Sequence, residues 1–288
     1  MSDPQVIPRV SAIEAPRIVF ISCAGHSGST LLDMLISSHP DVVSVGEVVR
    51  FSSAPNSRCA CGRKAWECPF WLAVDEVIRG CTGLTLTDLQ LTRGDPETFA
   101  RHNLALFDAV REVSGKRVIV DSSKRLDRLI PLVASKELDV MPIRLVRNPH
   151  GVVHSHVKRG RDWRPYAEEY AKGHIQAKEY LRHRPHIKVR YQRLVEDTPP
   201  TLARVMDGIG LEYDPDQLNW AGRLRHNMNG NRKVRYASDS TIRSDTSWRE
   251  GLTRRQKIGI SLVTLGARMP GRLFYGWLQP LARRALSW

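Results

Sequence analysis

A short stretch near the N-terminus combines glycines and hydroxyl side chains in a pattern that suits anion binding. It comprises Gly25, His26, Ser27, Gly28, Ser29, Thr30 and Leu31. The glycines allow backbone turns that other residues resist, and they let a ligand come close. If a helix begins here, free N–H groups point out of its first turn, where an anion is favoured. We therefore predict a phosphate-binding loop, with an ordinary strand-to-helix turn as the alternative.

The same stretch lacks the lysine of nucleoside triphosphatase loops. Those loops read GxxxxGKS or GxxxxGKT, in which the lysine holds the terminal phosphates and the hydroxyl holds magnesium. Here Ser29 follows Gly28, and no lysine lies in the loop. A phosphoryl-transfer site that depends on a metal ion is therefore disfavoured.

Three further polar residues follow short apolar runs. Glu47 comes after residues 42–45, Lys124 after residues 118–120, and Arg147 after residues 143–146. Open α/β sheets bind ligands where their strands end, so charged side chains at these positions are functional candidates. Glu47 is a candidate general base. For Lys124 the alternative is a solvated residue in the first turn of a helix.

Arg147 marks what we predict to be a second anion site. A helix is expected from about His150, and helical spacing places Ser155 and Arg159 on one face of it. Guanidinium groups suit phosphate because they donate paired hydrogen bonds in a fixed geometry. Two anion sites could hold the two ends of one nucleotide.

Three of the five cysteines, Cys59, Cys61 and Cys68, lie close together in the sequence. They could supply three thiolates to zinc, with a fourth ligand from elsewhere. Their C-x-C spacing departs from the paired C-x-x-C of common zinc sites. A loop of reduced or disulfide-bonded cysteines that packs nearby aromatic residues is therefore the favoured interpretation.

The elements that must position these residues alternate along the chain. Apolar runs typical of buried parallel strands lie at residues 18–21, 42–45, 118–120, 143–146 and 187–191, and helical patterns separate most of them. This alternation predicts an α/β fold, a three-layer sandwich in which helices flank a central parallel sheet. Residues 52–94 show no clear period and are expected to form an irregular insertion or lid.

Length and composition fit one domain. The 288 residues include 41% hydrophobic and 26% charged side chains, as in a soluble globular protein. We expect an N-terminal arm at residues 1–16, one domain at residues 17–288, and a helical tail at about residues 253–288 that could touch a membrane surface. No run approaches the roughly 18 apolar residues of a membrane span, and the N-terminus lacks a signal-peptide core, so cytoplasmic residence is expected.

The formal net charge is +14. Its basic residues are interleaved with predicted strands and helices rather than gathered in a tail, which favours a small polyanionic ligand over nucleic acid. A basic nucleic-acid-binding protein is the non-enzymatic alternative.

Four segments, taken in order, resemble the sulfotransferases that use 3′-phosphoadenosine 5′-phosphosulfate. They read GHSGSTLLDMLISSHP, VDSSK, LVRNPHGVVHSHVKRG and VRYQRLVEDTPPTLARVMDGIGLEYDP, with Glu47 between the first two. The resemblance extends over residues 18–252. It implies the P-loop-like fold of that family and transfer of a sulfuryl group to an acceptor hydroxyl or, as second choice, an amine. The nucleotide would be the co-substrate and 3′,5′-ADP the product, with no metal required. A nucleotide kinase of related architecture is the alternative enzyme.

The resemblance also implies how the nucleotide is held. The stretch from residue 25 to residue 31 matches the family's 5′-phosphosulfate loop, in which Ser29 and Thr30 occupy the hydroxyl positions that hold the 5′-phosphate. Arg147 and Ser155 match the pair that holds the 3′-phosphate.

Further matches concern the adenine and the reaction. Tyr191 matches an aromatic position near the adenine, and a run of Gly230, Asn231, Arg232 and Lys233 resembles the loop that folds over the 3′-phosphate. Glu47 is similar in position to a glutamate that acts as general base, and Lys124 to a lysine that stabilises the transferring group or the leaving oxygen.

One position departs from the family pattern. The residue before Ser27 is usually lysine or arginine there, and it is His26 here. An imidazolium could donate to the leaving oxygen, so that role is open between His26 and Lys124. Because other branches use a histidine as base, His26, His39 and His154 are alternatives to Glu47. The acceptor is expected to be a small-molecule, glycan or lipid-linked hydroxyl compound, among which the sequence does not distinguish.

Overall fold

Five parallel strands form the centre of the molecule. The structure is a computed structural model, and it describes residues 16–53, 57–92 and 94–265. The strands are β1 (Arg17–Ser22), β2 (Val42–Gly46), β3 (Val118–Lys124), β4 (Asp139–Val146) and β5 (Ile187–Arg190). They pair in the order β2-β3-β1-β4-β5, and every pair is parallel. The predicted strands and the parallel sheet are confirmed.

Helices connect the strands and cover the sheet. They are α1 (Ser29–Ile36), α2 (Arg50–Ser53), α3 (Pro69–Thr82), α4 (Pro96–Ser114), α5 (Leu126–Ala134), α6 (Pro149–Val157), α7 (Trp163–Tyr180), α8 (Tyr191–Glu196), α9 (Thr198–Gly208), α10 (Arg232–Arg235), α11 (Trp248–Gly251) and α12 (Arg254–Leu265). Short 3-10 turns lie at Ala65–Glu67 and Pro215–Leu218. The strand predicted for residues 187–191 ends one residue early, because Tyr191 already begins α8.

The central strand separates two apolar layers. Ile18 and Phe20 of β1 face a core that α3, α4 and α5 complete, whereas Val19 and Ile21 face a second core that α1 and α9 complete. Successive strand side chains point to opposite faces, so a fully apolar strand must be covered on both sides. The predicted three-layer α/β sandwich is confirmed.

A third, smaller cluster stands beside the sheet. It joins α6, α7 and α12 through Val153, Ala167 and Ile260, which are all buried. Helix α6 follows directly from β4, so this cluster fixes the helix that begins just after Arg147.

The expectation of an irregular segment at residues 52–94 is wrong for residues 69–82, while its role as an insertion or lid stays a prediction. About a third of it folds into α3, a 14-residue helix that begins at Pro69 and ends before Gly83, a glycine with φ 72°. Trp71, Val74 and Ile78 recur at helical spacing and are buried in the core. That period was readable in the sequence, but the surrounding cysteines, glycines and hydroxyl residues obscured it.

Two predicted regions fall outside the described residues, in whole or in part. The arm predicted at residues 1–16 lies outside them except for Pro16, and so does the tail beyond residue 265, which α12 precedes. Within the described ranges, no helix combines the length and the apolar character that crossing a membrane requires.

Candidate active site

Each of the five strands delivers one candidate residue or segment to the same edge of the sheet. In spatial order these are Glu47 after β2, Lys124 at the end of β3, the phosphate-binding loop after β1, Arg147 after β4 and Tyr191 after β5. Parallel strands all end at one edge, which is where open α/β sheets bind ligands. The loop therefore lies between two chemically different flanks, Glu47 with Lys124 on one side and Arg147 with Tyr191 on the other.

The loop has the backbone geometry of an anion site. Helix α1 begins at Ser29 after Gly28, whose φ is 94° and which, as the N-cap residue, has no side chain to cap the first turn. The N–H groups of that turn are therefore left for a ligand. The Ser27 hydroxyl is buried and has no hydrogen-bond partner among the described residues. A buried polar group without a partner fits a site that an anion completes.

Gly28 is required by its surroundings as well as by its φ. A Cβ atom at this position would lie 2.5 Å from the ring of Tyr191. The Arg147 guanidinium lies over that ring, 4.3 Å from its centroid. Tyr191 thus supports the loop and Arg147 together, and its role near the adenine stays a prediction.

Glu47 and Lys124 are in direct contact. The Lys124 ammonium donates a hydrogen bond to Oε1 of Glu47, and both side chains are largely shielded from solvent. Arg50 lies 3.8 Å from the other carboxylate oxygen. The contact forms because β2 and β3 are neighbours and end side by side.

A distant segment fixes the backbone at Glu47. The Glu47 N–H donates to the Met228 carbonyl at 2.8 Å, and the Met228 N–H donates to the Val45 carbonyl at 3.1 Å. Gly46 has φ 66°, and a Cβ there would lie 2.3 Å from the Met228 carbonyl oxygen. Only glycine allows this close approach, so Gly46 and Met228 together set the direction in which Glu47 leaves the strand.

Backbone strain is concentrated around this edge. Three non-glycine residues of the described ranges have positive φ, namely His26 at 62°, Lys124 at 71° and Asn229 at 56°. Such geometries cost about 1–3 kcal/mol each and persist where the surrounding structure enforces them, often at functional sites. His26 lies in the loop, Lys124 at the Glu47 contact and Asn229 in the segment that follows Met228.

Arg147 joins the second anion site to the loop. Its Nη1 donates to the His26 carbonyl at 2.8 Å, and its Nη2 donates to Asp245 at 2.9 Å. Burial opposes the ionisation of Asp245, but hydrogen bonds from Ser247 and Arg147 outweigh it and lower its pKa to about 2. Asp245 is therefore negatively charged at neutral pH, and a phosphate that binds Arg147 must compete with it.

Ser155 lies on α6, next to the loop, whereas Arg159, which the sequence placed on the same helix face, lies in the turn after α6 ends at Val157. The Ser155 hydroxyl donates to the Gly151 carbonyl at 3.0 Å, within its own helix. Nη1 of Arg159 lies 2.8 Å from Nε2 of His26. The structure thus brings α6 against the loop, while the binding of a phosphate by Ser155 stays a prediction.

His26 is held as a neutral imidazole. Burial, and after it the positive charge of Arg159, lowers its pKa to about 4. A guanidinium has only donors, so Nε2 of His26 accepts from Arg159 and the ring proton lies on Nδ1. The imidazolium that the sequence suggested as a donor to the leaving oxygen does not fit these surroundings.

The segment of residues 230–233 reaches the loop. The Asn231 N–H donates to the Thr30 hydroxyl at 3.0 Å, and the Asn231 side chain caps α10 by accepting from the Lys233 N–H. Arg232 and Lys233 are exposed. The segment therefore lies where the sequence predicted, with two exposed cations near the start of α1.

The three clustered cysteines meet on the other side of Met228 from Glu47. The Met228 backbone bridges Gly46 in parallel and Cys59 in antiparallel fashion. Cys61 and Cys68 lie beside Cys59, and His226 joins them. The candidate base and the cysteine cluster are therefore linked by one short stretch of backbone.

Three residues that contact the candidate site or the cysteine cluster are not predicted from the sequence. Asp245 contacts Arg147 across 98 residues, Met228 orders the backbone of Glu47, and His226 meets the cysteines across more than 150 residues. Asp245 and Met228 carry no local signal. His226 could have been found only by searching for a fourth ligand to the three cysteines.

No protein-family model and no curated protein matches the sequence of the chain. Solved structures do match it. A sulfotransferase domain from the olefin synthase of Synechococcus PCC 7002 aligns over 89% of this chain and 97% of its own length, with 17% identity and a TM-score of 0.54. A sulfotransferase domain from the curacin biosynthetic pathway aligns over 85% and 96%, with 18% identity and a TM-score of 0.53.

A mouse sulfotransferase complexed with PAP aligns over 94% of this chain and 90% of its own length, with 13% identity and a TM-score of 0.51. Similarity at this level of identity concerns the fold, because one fold can support several activities. The strand order, the loop after the central strand and these three alignments agree with the resemblance seen in the sequence. The chain has the fold of the sulfotransferases.

Proposed function

We propose that this protein transfers a sulfuryl group from 3′-phosphoadenosine 5′-phosphosulfate to an acceptor hydroxyl. One observation carries the proposal: the loop after β1 lies between a carboxylate–ammonium contact and an arginine that hydrogen-bonds the loop itself. A nucleotide with phosphates at both ends needs two adjoining anion sites. A transfer to an alcohol also needs a base beside one of them.

The residues present fit the donor nucleotide. The uncapped first turn of α1 and the hydroxyls of Ser27, Ser29 and Thr30 would bind the 5′-phosphosulfate. Arg147 and Ser155 would bind the 3′-phosphate, with Asp245 displaced from the arginine. The exposed cations Arg232 and Lys233 would close over the same phosphate.

Glu47 and Lys124 would carry the chemistry. In the proposed in-line displacement, the acceptor oxygen bonds to sulfur while the bond from sulfur to the 5′-phosphate oxygen breaks, which releases 3′,5′-ADP. Glu47 takes the acceptor proton, because an alcohol is a poor nucleophile at neutral pH. Lys124 leaves Glu47 for the oxygens on which negative charge grows. The proposal assigns no catalytic step to a metal ion.

The state of His26 favours Lys124 for the leaving-group role. A neutral imidazole whose Nε2 already accepts from Arg159 has no charge to offer the leaving oxygen. Lys124 lies at the end of the strand next to β1, and its carbonyl accepts from the Cys23 N–H at 3.3 Å, which places its backbone beside the loop.

We propose that the acceptor is a small-molecule, glycan or lipid-linked hydroxyl compound and that the protein acts in the cytoplasm. The fold neighbours from the olefin synthase and the curacin pathway are consistent with a biosynthetic acceptor. Binding of nucleic acid is not part of the proposal.

The test combines nucleotide binding with transfer. Calorimetry should show that 3′,5′-ADP binds more tightly than 5′-AMP, since only the former offers a 3′-phosphate to Arg147. Donor labelled in its sulfate, incubated with a panel of hydroxyl acceptors, should then yield labelled product. Glu47→Gln should bind 3′,5′-ADP as the wild type does but transfer roughly 10²–10⁴-fold more slowly, because it keeps the size of the side chain and loses the base.

Glu179→Gln is the matched control, because Glu179 lies on the exposed surface of α7, where its carboxylate pairs with Arg182. It should leave both binding and transfer unchanged. Equal affinity of the wild type for 3′,5′-ADP and 5′-AMP would reject the proposed donor. Unchanged transfer by Glu47→Gln would remove Glu47 from the mechanism while leaving the donor assignment intact.

A further inference from the structure

Four side chains with metal-binding atoms converge outside the proposed active site. They are Cys59, Cys61, Cys68 and His226, and their sulfur and nitrogen atoms all lie within 4.8 Å of one another. The cysteines are not paired in disulfides. Cys59 and Cys68 are fully buried, and the other two are partly buried.

The distances match a tetrahedral zinc site. Zn–S bonds of about 2.3 Å and Zn–N bonds of about 2.0–2.1 Å place neighbouring sulfurs about 3.8 Å apart and sulfur and nitrogen about 3.5 Å apart. Here Nδ1 of His226 lies 3.2 Å from Sγ of Cys68 and 3.7 Å from Sγ of Cys59. Three thiols and one imidazole form one of the ligand sets typical of structural zinc.

The backbone presents the cysteines in the required directions. Cys59 and Cys61 lie on a tight turn in which the Cys59 N–H donates to the Arg63 carbonyl at 2.9 Å and the Gly62 N–H donates to the Cys59 carbonyl at 3.0 Å. Cys68 directly precedes the first residue of α3. The turn and the helix start therefore bring three sulfurs from ten consecutive positions to one point.

Neighbouring side chains hold His226 in place. The Trp71 indole N–H donates to the His226 carbonyl at 2.6 Å, and the Phe70 ring stacks on the imidazole with centroids 5.0 Å apart. Both aromatic residues belong to α3. Supporting contacts of this kind orient ligands at metal sites, and they are present here around the residue that comes from farthest along the chain.

We propose that Cys59, Cys61, Cys68 and His226 bind one structural Zn²⁺ ion. The thiols lose their protons when they bind the metal, and these protons pass to solvent. The ion would join the turn at residues 59–62 and the start of α3 to the segment that contains His226.

The consequence of this link lies in the same segment. Two residues after His226, the Met228 carbonyl accepts from the Glu47 N–H, and three residues later the Asn231 N–H donates to Thr30. The Ala60 N–H also donates to the Asn227 carbonyl at 3.1 Å, which ties the cysteine turn to this segment through the backbone. The zinc would thus anchor the segment that borders both Glu47 and the phosphate-binding loop.

Metal analysis of the full-length protein tests the proposal. Protein purified without chelator should contain about one zinc per chain by inductively coupled plasma mass spectrometry. Cys68→Ser and His226→Ala should each reduce the zinc content at least about ten-fold. Cys81→Ser is the matched control, since Cys81 is an exposed cysteine at the far end of α3, and its zinc content should equal that of the wild type.

A measurement on the wild type alone guards against variants that fail to fold. Cobalt exchanged into the protein should give the intense visible bands of a tetrahedral site and the ultraviolet charge-transfer bands of thiolate ligands. The proposal is overturned if the reduced wild type takes up neither zinc nor cobalt. A disulfide among the three cysteines, found by peptide mapping in a protein that takes up no metal after reduction, would overturn it too. So would a loss of zinc in Cys81→Ser as large as that in Cys68→Ser. These measurements test the zinc site alone, and the proposed sulfuryl transfer is tested separately.

Discussion

Arg147 shows how much of the site depends on single side chains. It lies over Tyr191, donates to the carbonyl of His26 and pairs with Asp245, so three separate parts of the chain meet at one guanidinium. In the proposed complex, a phosphate would replace Asp245 as the partner of this guanidinium. In the free protein, Asp245 would pair with Arg147 in place of the phosphate.

His26 provides a pH-dependent prediction at the same scale. Its pKa is lowered from 6.5 to about 4, first by burial and then by Arg159. As the pH falls from about 6.5 to 4, the unfolded chain takes up this proton before the folded chain does, so the free energy of unfolding decreases over that range. Nuclear magnetic resonance of the imidazole should show a neutral ring, protonated on Nδ1, at pH 7.

The control is His26→Gln, which removes the titrating group. Its free energy of unfolding should fall less between pH 6.5 and 4 than that of the wild type. A measured pKa near 6.5, or a charged ring at pH 7, would contradict the prediction and restore His26 as a candidate for the leaving-group role.

At the scale of elements, the junction between β1 and α1 is constrained by both backbone geometry and packing. Gly28 stands between strand and helix with φ 94°, and the ring of Tyr191 fills the space in which a side chain would lie. Glycine at the N-cap has no side chain to cap the first turn of α1, which leaves N–H groups of that turn for a ligand. The place of Gly28 between strand and helix, its positive φ and its contact with Tyr191 all require glycine at this position.

Gly28→Ala should therefore destabilise the protein and disturb the loop. The added methyl group meets both an unfavourable φ and a ring 2.5 Å away, so the free energy of unfolding should fall by about 1–3 kcal/mol. Chemical denaturation measures this change. Gly25→Ala serves as control, because a Cβ at Gly25 meets no atom within 4 Å and its effect should stay within about 0.5 kcal/mol. Equal effects of the two changes would contradict the interpretation.

At the scale of the whole molecule, a buried ion pair joins the sheet to its helical layer. Asp121 of β3 and Arg128 of α5 are both fully buried, and Nη2 of Arg128 lies 2.8 Å from the carboxylate. Nη1 of Arg128 also donates to the side chain of Asn103 in α4 and to the Leu91 carbonyl. One side chain thus connects β3, which ends in Lys124, with two helices and the loop before α4.

Arg128→Met should lower the free energy of unfolding by about 3–5 kcal/mol, because it leaves the Asp121 carboxylate buried without its partner. Adding Asp121→Asn should recover part of the loss, since it removes the uncompensated charge. Arg182→Met is the control at an exposed ion pair, where the change should not exceed about 1 kcal/mol. Denaturant titration of the four proteins would contradict the argument if Arg128→Met and Arg182→Met had similar effects.

The sequence by itself determined the class of fold and most of the candidate site. Apolar runs, glycines and the charged residue after each run are local features, so the strands, the loop at Gly28 and the residues Glu47, Lys124 and Arg147 could all be named. Because parallel strands end at one edge of the sheet, the sequence also predicts that these residues lie close together. The apolar period of α3 is also local, but the turn-forming residues around it make it hard to recognise.

Only the tertiary structure decided which neighbours these residues have. The order of the strands places the loop between Lys124 and Arg147, and nothing in five short apolar runs encodes that order. Asp245 and His226 reach their partners across roughly a hundred residues or more, through packing that no local pattern records. The charge of His26 was also undetermined, since the type of residue fixes only an ordinary pKa, whereas burial and the position of Arg159 set the actual one.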